Sequence, residues 1–264
     1  MSGRRVVASA PSQAFLLGEH AVLYGSPALA ISIERRSYST AEPLEKGRIT
    51  IESELGYYEE RGGEVLRYNE DLAKLAVGVR ELLDIHDVDS GVRLRIRSEV
   101  PVGSGMASSA SVAAAVSKSI DELFDLSLGV DGLLEAVYAF ERVIHGKASK
   151  TGPACAVLGG VIWVEWVGDS MEARSLGHLK IPLSIACTGE PSPTREMIES
   201  VADLRRRFPE VHGMIVNAIS NVVRSGRSAI ERGDLRTLGL LMNLDQGLLY
   251  ALGVSSQSIE RIIW

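Results

Sequence analysis

The sequence predicts an α+β protein, and three observations carry that reading. Strand-like and helix-like segments interleave without the repeating βαβ rhythm of a parallel sheet. In 91–97, Val92, Leu94 and Ile96 alternate with Arg93, Arg95 and Arg97, as a half-buried strand requires. Leu72, Leu75, Ala76, Val79, Leu82 and Leu83 recur at helical spacing and predict an amphipathic helix over 70–84.

The remaining elements follow in chain order. Residues 4–9 and 14–17 read as short strands broken at Pro11 and Ser12, and 28–33 as a strand after the Gly25-Ser-Pro turn. Residues 50–52 add another. A helix begins near Met106 with Ala110, Ala113, Val116, Ile120 and Leu123 on one stripe, and a further one runs from about Asp131 to His145, with Gly146 as its stop. After Gly159-Gly160, strands are expected at 161–166 and 179–187, then helices over 193–206, 210–232, 234–250 and 256–264. The composition shift at 167–178 marks a domain boundary, giving domains 1–167 and 168–264.

Composition narrows the class. A chain of 264 residues with 45% hydrophobic and 23% charged residues is neither disordered nor a disulfide scaffold. A net charge of -6 argues against nucleic acid or an anionic membrane as partner. Cys155 and Cys187 have no metal-ligand spacing. With neither a signal-like apolar run nor a membrane-length one, a soluble cytoplasmic protein is expected.

The segment Pro101-Val-Gly103-Ser104-Gly105-Met106-Ala107-Ser108-Ser109-Ala110 carries the clearest chemistry. It follows a strand and opens a small-residue helix. Glycines let a ligand approach the backbone, and the free N–H groups of a helix start favour a phosphate. Ser108 and Ser109 can cap that helix or touch a phosphate or its magnesium ion. The loop lacks both the G-K-[ST] ending of a Walker A motif and the G-x-G-x-x-G of a dinucleotide fold.

Together with Gly18-Glu19-His20-Ala-Val-Leu-Tyr-Gly25, this loop resembles the GHMP small-molecule kinases and, among them, the mevalonate branch. Phe140-Glu141-Arg-Val-Ile-His-Gly146, Gly159-Gly160, Pro193-Thr194-Arg195 and Met242-Asn…Leu248-Leu249…Leu252-Gly253-Val254 are similar to later segments of the family. The resemblance implies a two-domain fold, with a nucleotide-loop domain followed by a helix-plus-sheet domain. It implies ATP and Mg2+ as cofactors and transfer of a phosphoryl group to the primary hydroxyl of mevalonate in isoprenoid synthesis. Pro101, Gly103, Ser104, Gly105, Met106, Ala107, Ser108 and Ser109 would hold nucleotide, Ser108 and Glu141 the metal, and Glu19, His20 and Thr194 the substrate. A homodimer is the default assembly.

Three departures stand beside the match. The family carries a lysine where this chain has Gln13 and an aspartate, the usual proton acceptor, where it has Gly152. Relatives also continue beyond the last helix with another glycine-rich loop and strands, so the resemblance implies an incomplete second domain. Phosphoryl transfer rests chiefly on positioning and charge neutralisation, and a general base supplies only about 10²–10⁴-fold. Three readings therefore stay open: an active mevalonate-phosphorylating enzyme, a weak or inactive homologue that binds nucleotide or mevalonate, and a kinase with a shifted substrate. His145 reads as a helix C-terminal residue favoured by the dipole or, less simply, as a site residue.

Overall fold

The computed structural model describes residues 3–101, 103–146, 149–190 and 194–264, without the side chains of Thr194 and Arg195. The strands are β1 (Val6–Leu17), β2 (Ala28–Leu44), β3 (Arg48–Ser53), β4 (Gly56–Arg61), β5 (Glu64–Arg67), β6 (Gly91–Ser98), β7 (Val161–Val167) and β8 (Ser170–Ser175). The helices are α1 (Glu70–Ile85), α2 (Ser108–Phe124), α3 (Gly129–His145), α4 (Thr151–Leu158), α5 (Thr194–Arg207), α6 (Pro209–Glu231), α7 (Leu235–Ala251) and α8 (Gln257–Ile263). The strands form one mixed sheet in the order β5-β4-β3-β6-β2-β7-β8, with β1 paired to β2. The chain is α+β, as its sequence predicts. It divides into two compact units, residues 1–12, 33–101 and 106–158 in the first, and 13–32, 102–105 and 159–264 in the second.

In the first unit, α1 starts where Asn69 accepts a hydrogen bond from the Leu72 N–H at 3.1 Å, with Glu70 and Asp71 favouring the positive end of the helix dipole. Its apolar stripe is buried from Leu72 to Leu83. β6 is buried at Val92, Leu94 and Ile96, parallel to β3 and antiparallel to β2. On its other face Arg93 and Arg95 each reach Glu42 at 3.3 Å. The small residues of α2 lie in the core, and its serines pin it to strands. Ser111 Oγ donates to the Ala10 carbonyl at 2.9 Å, and the Ser39 and Ser119 hydroxyls lie 2.8 Å apart. α3 ends at Gly146, in a left-handed conformation at φ 74°.

In the second unit, β7 pairs antiparallel with the start of β2 and with β8. Trp163 is fully buried, with the Arg227 guanidinium 4.9 Å from its ring centroid. α6 begins with Pro209 in its first turn, and Asp234 caps α7 by accepting from the Thr237 N–H at 3.0 Å. A Cβ on Gly226 would fall 2.1 Å from Leu17 Cδ1, so α6 reaches the β1 end only through this glycine.

Several elements differ from the sequence-based expectation. β1 runs unbroken through Pro11; it pairs with β2 alone among the described strands, and such an edge strand tolerates a proline. β4 and β5 form a hairpin around Gly62-Gly63, β8 occupies the stretch expected as a boundary, and α4 fills a stretch with no predicted element. Residues 179–187 form no strand. Their apolar residues have no ladder partner among the described residues, and Leu179 and Ile185 stay exposed. The apolar stripe of α8 has no fully buried residue: Ile259 is half-buried, and Ile262, Ile263 and Trp264 are exposed. Its anchor is polar: Glu260 accepts from Trp264 Nε1 at 2.8 Å and from Gln246 Nε2 at 2.7 Å.

Gly78 sets the spacing of α1 and α3, since a Cβ there would lie 2.4 Å from the Phe140 ring. Gly78→Ala is expected to destabilise the protein by about 1–3 kcal/mol through overpacking, despite alanine's better helix propensity. Gly78→Ala/Phe140→Leu should recover part of the loss. Urea denaturation of the three proteins checks both outcomes; a single variant as stable as wild type contradicts this packing.

Candidate active site

Two groups of polar residues stand out, one in each unit. In the first unit, the chain enters α2 through Ala107, which adopts the left-handed conformation at φ 51° and ψ 49°. That geometry costs an L-residue about 1–2 kcal/mol, and glycine adopts it freely. Among the described residues no side chain caps α2, which leaves the N–H groups of its first turn facing outward along the helix axis as a start that suits an anion. Met106 is buried and Ser108 half-buried at the helix start. Immediately before them in the chain, and assigned to the second unit, Gly103 (φ 73°) and Gly105 (φ 75°) are both left-handed and exposed, and a Cβ on either would meet open space, so what these glycines supply is backbone conformation. Pro101 is exposed and Ser104 half-buried.

Facing α2, Glu141 of α3 is only 8% exposed, and its Oε1 has no hydrogen-bond partner. Burial pushes its carboxyl above the ordinary range, while a hydrogen bond from Ser109 and the nearby His145 pull it back. His145 Nε2 lies 3.1 Å from Ser109 Oγ and 4.0 Å from Glu141 Oε1. Ser109, Glu141 and His145 thus form one cluster, and His145 belongs to it as well as to the C-terminal turn of α3. Gly152 in the first turn of α4 is buried against the same cluster. A Cβ there would lie 3.0 Å from Ala110 Cβ, 3.5 Å from Ala107 Cβ and 4.0 Å from Glu141 Oε2. Lys150, the nearest cation in sequence, has its ammonium 5.6 Å from the Tyr138 ring centroid.

In the second unit, β1 ends at a glycine that nothing else can replace. A Cβ on Gly18, at φ 91°, would lie 2.7 Å from the Pro27 carbonyl and 2.8 Å from Val223 Cγ2. Glu19 and His20 follow, His20 at φ 56°, and a single 3₁₀ turn over Ala21–Tyr24 begins there. The turn is anchored by a 4.6 Å edge-on contact of Tyr24 with His212 and by the indole N–H of Trp166, which donates to the Val22 carbonyl at 2.7 Å. His20 Nδ1 is buried without a partner, and burial pushes the ring toward its neutral form. Asp245 of α7 meets this segment, accepting from the Gly18 N–H at 2.8 Å. Gln13 is buried in β1, and its Oε1 is also unpartnered. Thr194 opens α5, but its side chain, with Pro193, lies outside the described residues.

Comparison with known proteins decides the family. The model of the GHMP kinases N terminal domain matches residues 71–160. Over 98% of this chain and 82% of its own length, the mevalonate kinase of Thermococcus sibiricus is 32% identical. The chain belongs to the GHMP kinase family. Another relative, the mevalonate kinase of Pyrococcus furiosus, is 31% identical over the same shares. Among solved structures, Methanococcus jannaschii mevalonate kinase superposes with a TM-score of 0.79 at 22% identity, covering 99% of this chain and 84% of that one. The L. major mevalonate kinase in complex with R-mevalonate gives 0.80 at 20% identity, covering 97% and 78%. At those identities the likeness is one of fold.

Asp245 is the residue of this GHMP kinase that sequence reading passed over. Its signal was an acid on an apolar stripe, one heptad after Leu238 and one turn before Leu249, both buried. Gly152 supplies the test of the first cluster. Gly152→Ser and Gly152→Asp add similar bulk, but only Asp sets a second negative charge beside Glu141. Asp should therefore cost on the order of 1–3 kcal/mol more than Ser at neutral pH. Magnesium with ADP should narrow the gap. Equal melting temperatures for the two variants, with and without magnesium, would show that position 152 does not face Glu141.

Proposed function

We propose that this GHMP kinase transfers the γ-phosphoryl group of ATP to the primary hydroxyl of mevalonate. The observation that carries the proposal is the buried Glu141 carboxylate, its Oε1 unpartnered, beside the uncapped start of α2. An orphaned carboxylate oxygen is a ligand in waiting for a hard cation, and Mg2+ is ordinarily held by one or two carboxylates together with substrate phosphates. Glu141 and Ser108 would hold that ion, with Ser109 orienting the Glu141 carboxyl. The ion would neutralise charge on the transferring group.

The chain's own contributions follow from their chemistry. The backbone of Gly103–Gly105 and of Ser108 and Ser109 offers N–H donors to the phosphates, while Pro101, which has no N–H, leads into the loop and Met106 and Ala107 fix the entry into α2. Glu19, His20 and Thr194 would hold mevalonate. The hydroxyl oxygen forms its bond to the γ-phosphorus as the bond to ADP breaks, and its proton leaves to water when no base is present. Gln13 and Gly152 stand where relatives carry the lysine and the aspartate, which predicts slow turnover. The same two residues favour a second reading, a homologue that binds nucleotide or mevalonate with negligible transfer.

A coupled ADP-release assay at high enzyme concentration separates the two. Mevalonate-dependent ADP release is expected, and Gln13→Lys/Gly152→Asp should exceed the product of the single gains, because the two groups act as a unit. Magnesium-ATP should raise the melting temperature, and Gly105→Val should abolish that rise by excluding the left-handed conformation. A wild type with no nucleotide shift at millimolar ligand sinks both readings, and a shift without ADP release leaves the second.

A further inference from the structure

We infer that Asp245, reaching from α7 to the backbone N–H of Gly18 and to the carboxyl of Glu19, is the positioning residue that holds the Glu19–His20 segment in its turn. The inference rests on the reading of Glu19 and His20 as substrate-binding residues and adds Asp245, which lies in neither the Gly18–Gly25 nor the Pro101–Ala110 motif but in the span from Met242 to Val254.

The segment needs such a hold. Gly18 is wedged against Pro27 and Val223 at φ 91°, and His20 is a non-glycine residue at φ 56°. Backbone in such regions persists only where surrounding contacts over-determine it. Local hydrogen bonds tie the turn to itself, from the Ala21 N–H to the Glu19 carbonyl at 2.6 Å and from the Val22 N–H to the Gly18 carbonyl at 3.1 Å. Asp245 brings the constraint from a distant element: it is 2% exposed, and its Oδ2 accepts from the Gly18 N–H at 2.8 Å.

The second hold is between carboxyls. Glu19 and Asp245 lie within hydrogen-bonding reach of each other. Yet Glu19 Oε2 and Asp245 Oδ1 are both buried, and neither receives an N–H or O–H from any described group. Two ionised carboxylates so placed would repel in a medium that screens poorly. One proton between them turns the repulsion into a hydrogen bond and satisfies both orphan oxygens. Among the described residues no lysine or arginine acts on either carboxyl. The groups that do are the partner carboxyl, the Gly18 N–H on Asp245 and the backbone N–H on Glu19, with His20 held neutral beside them. Burial and the neighbouring acid push the Glu19 carboxyl above its ordinary range, and burial does the same for Asp245.

The sign of the linkage follows. A carboxyl whose folded pKa is raised contributes stability that is fully present below its unfolded pKa and is lost as pH rises through the folded one. The hold should therefore weaken from weakly acid to weakly alkaline pH, and the order of the Glu19–His20 segment with it.

Asp245→Asn separates positioning from bulk, because the amide still accepts from Gly18 and can donate to Glu19 without a shared proton. Asp245→Leu removes both functions. Melting temperature is measured from about pH 5 to about pH 8.5 for wild type, Asp245→Asn, Asp245→Leu and Glu19→Gln, alongside KM for mevalonate. The fall in melting temperature with pH should be shallower by about 2–4 °C in Asp245→Asn and in Glu19→Gln than in wild type. Asp245→Leu should raise KM at least about tenfold, an order-of-magnitude figure for a lost hydrogen-bonded charge, and Asp245→Asn should restore most of it. Superimposable pH profiles of wild type and Asp245→Asn would overturn the inference. So would equal KM values for the Leu variant and wild type. The melting profiles need no turnover, so a protein that fails the ADP-release assay still decides the carboxyl pair.

Discussion

A carboxylate taken out of water has to be paired, protonated or given a cation, and among the described residues three are buried with an oxygen short of a partner. Glu141 sits under the start of α2 with one oxygen unmatched, while Glu19 and Asp245 share the turn after β1. Each choice disfavours the folded state relative to an apolar residue of the same size, since an uncompensated buried acid costs several kcal/mol. Such groups are the places where an otherwise consistent fold departs from its own rules, and they are where a ligand, a metal ion or a proton completes the structure.

The two clusters solve the same problem differently. Around Glu141 the compensating groups are a hydroxyl and an imidazole, Ser109 and His145, which counter part of the upward push of burial and leave one oxygen open. That is an arrangement for a cation. Among the described residues no cationic side chain acts on Asp245, and the available compensation is a backbone N–H and a second acid. That is an arrangement for a proton, and it ties a distant helix to a short, strained turn without introducing net positive charge.

Glycine performs the complementary task of bringing elements close enough for these groups to meet. Gly78 lets α3 approach α1, Gly226 lets α6 reach the end of β1, and Gly18 passes between Pro27 and Val223. Gly152 belongs with them in a second sense. It adds no side chain beside Glu141, and Ala110 Cβ lies 3.0 Å from where a Cβ would stand. This glycine is thus part of the packing of α2 against α4 as well as of the cluster around Glu141.

The sequence by itself determined the α+β class, the helices with strong apolar stripes such as α1 and α2, the alternating strand β6, and the family. It also singled out Glu19, His20, the Gly103–Ser109 loop and Glu141. Periodicity and motif spacing are local properties, and each of these follows from residues within a few positions of one another. Only the tertiary structure decided the rest. Whether 179–187 becomes a strand depends on a ladder partner, which no local pattern records. The hairpin of β4 and β5 was signalled by Gly62-Gly63 between alternating residues, but that alternation was too polar to read as a strand. Ser109 and His145 lie 36 positions apart in sequence, and Asp245 is 227 from Gly18. Contacts at such separation are made by the packing of whole elements, so the residue that restrains the Glu19–His20 turn could be recognised only once α7 had been placed against it.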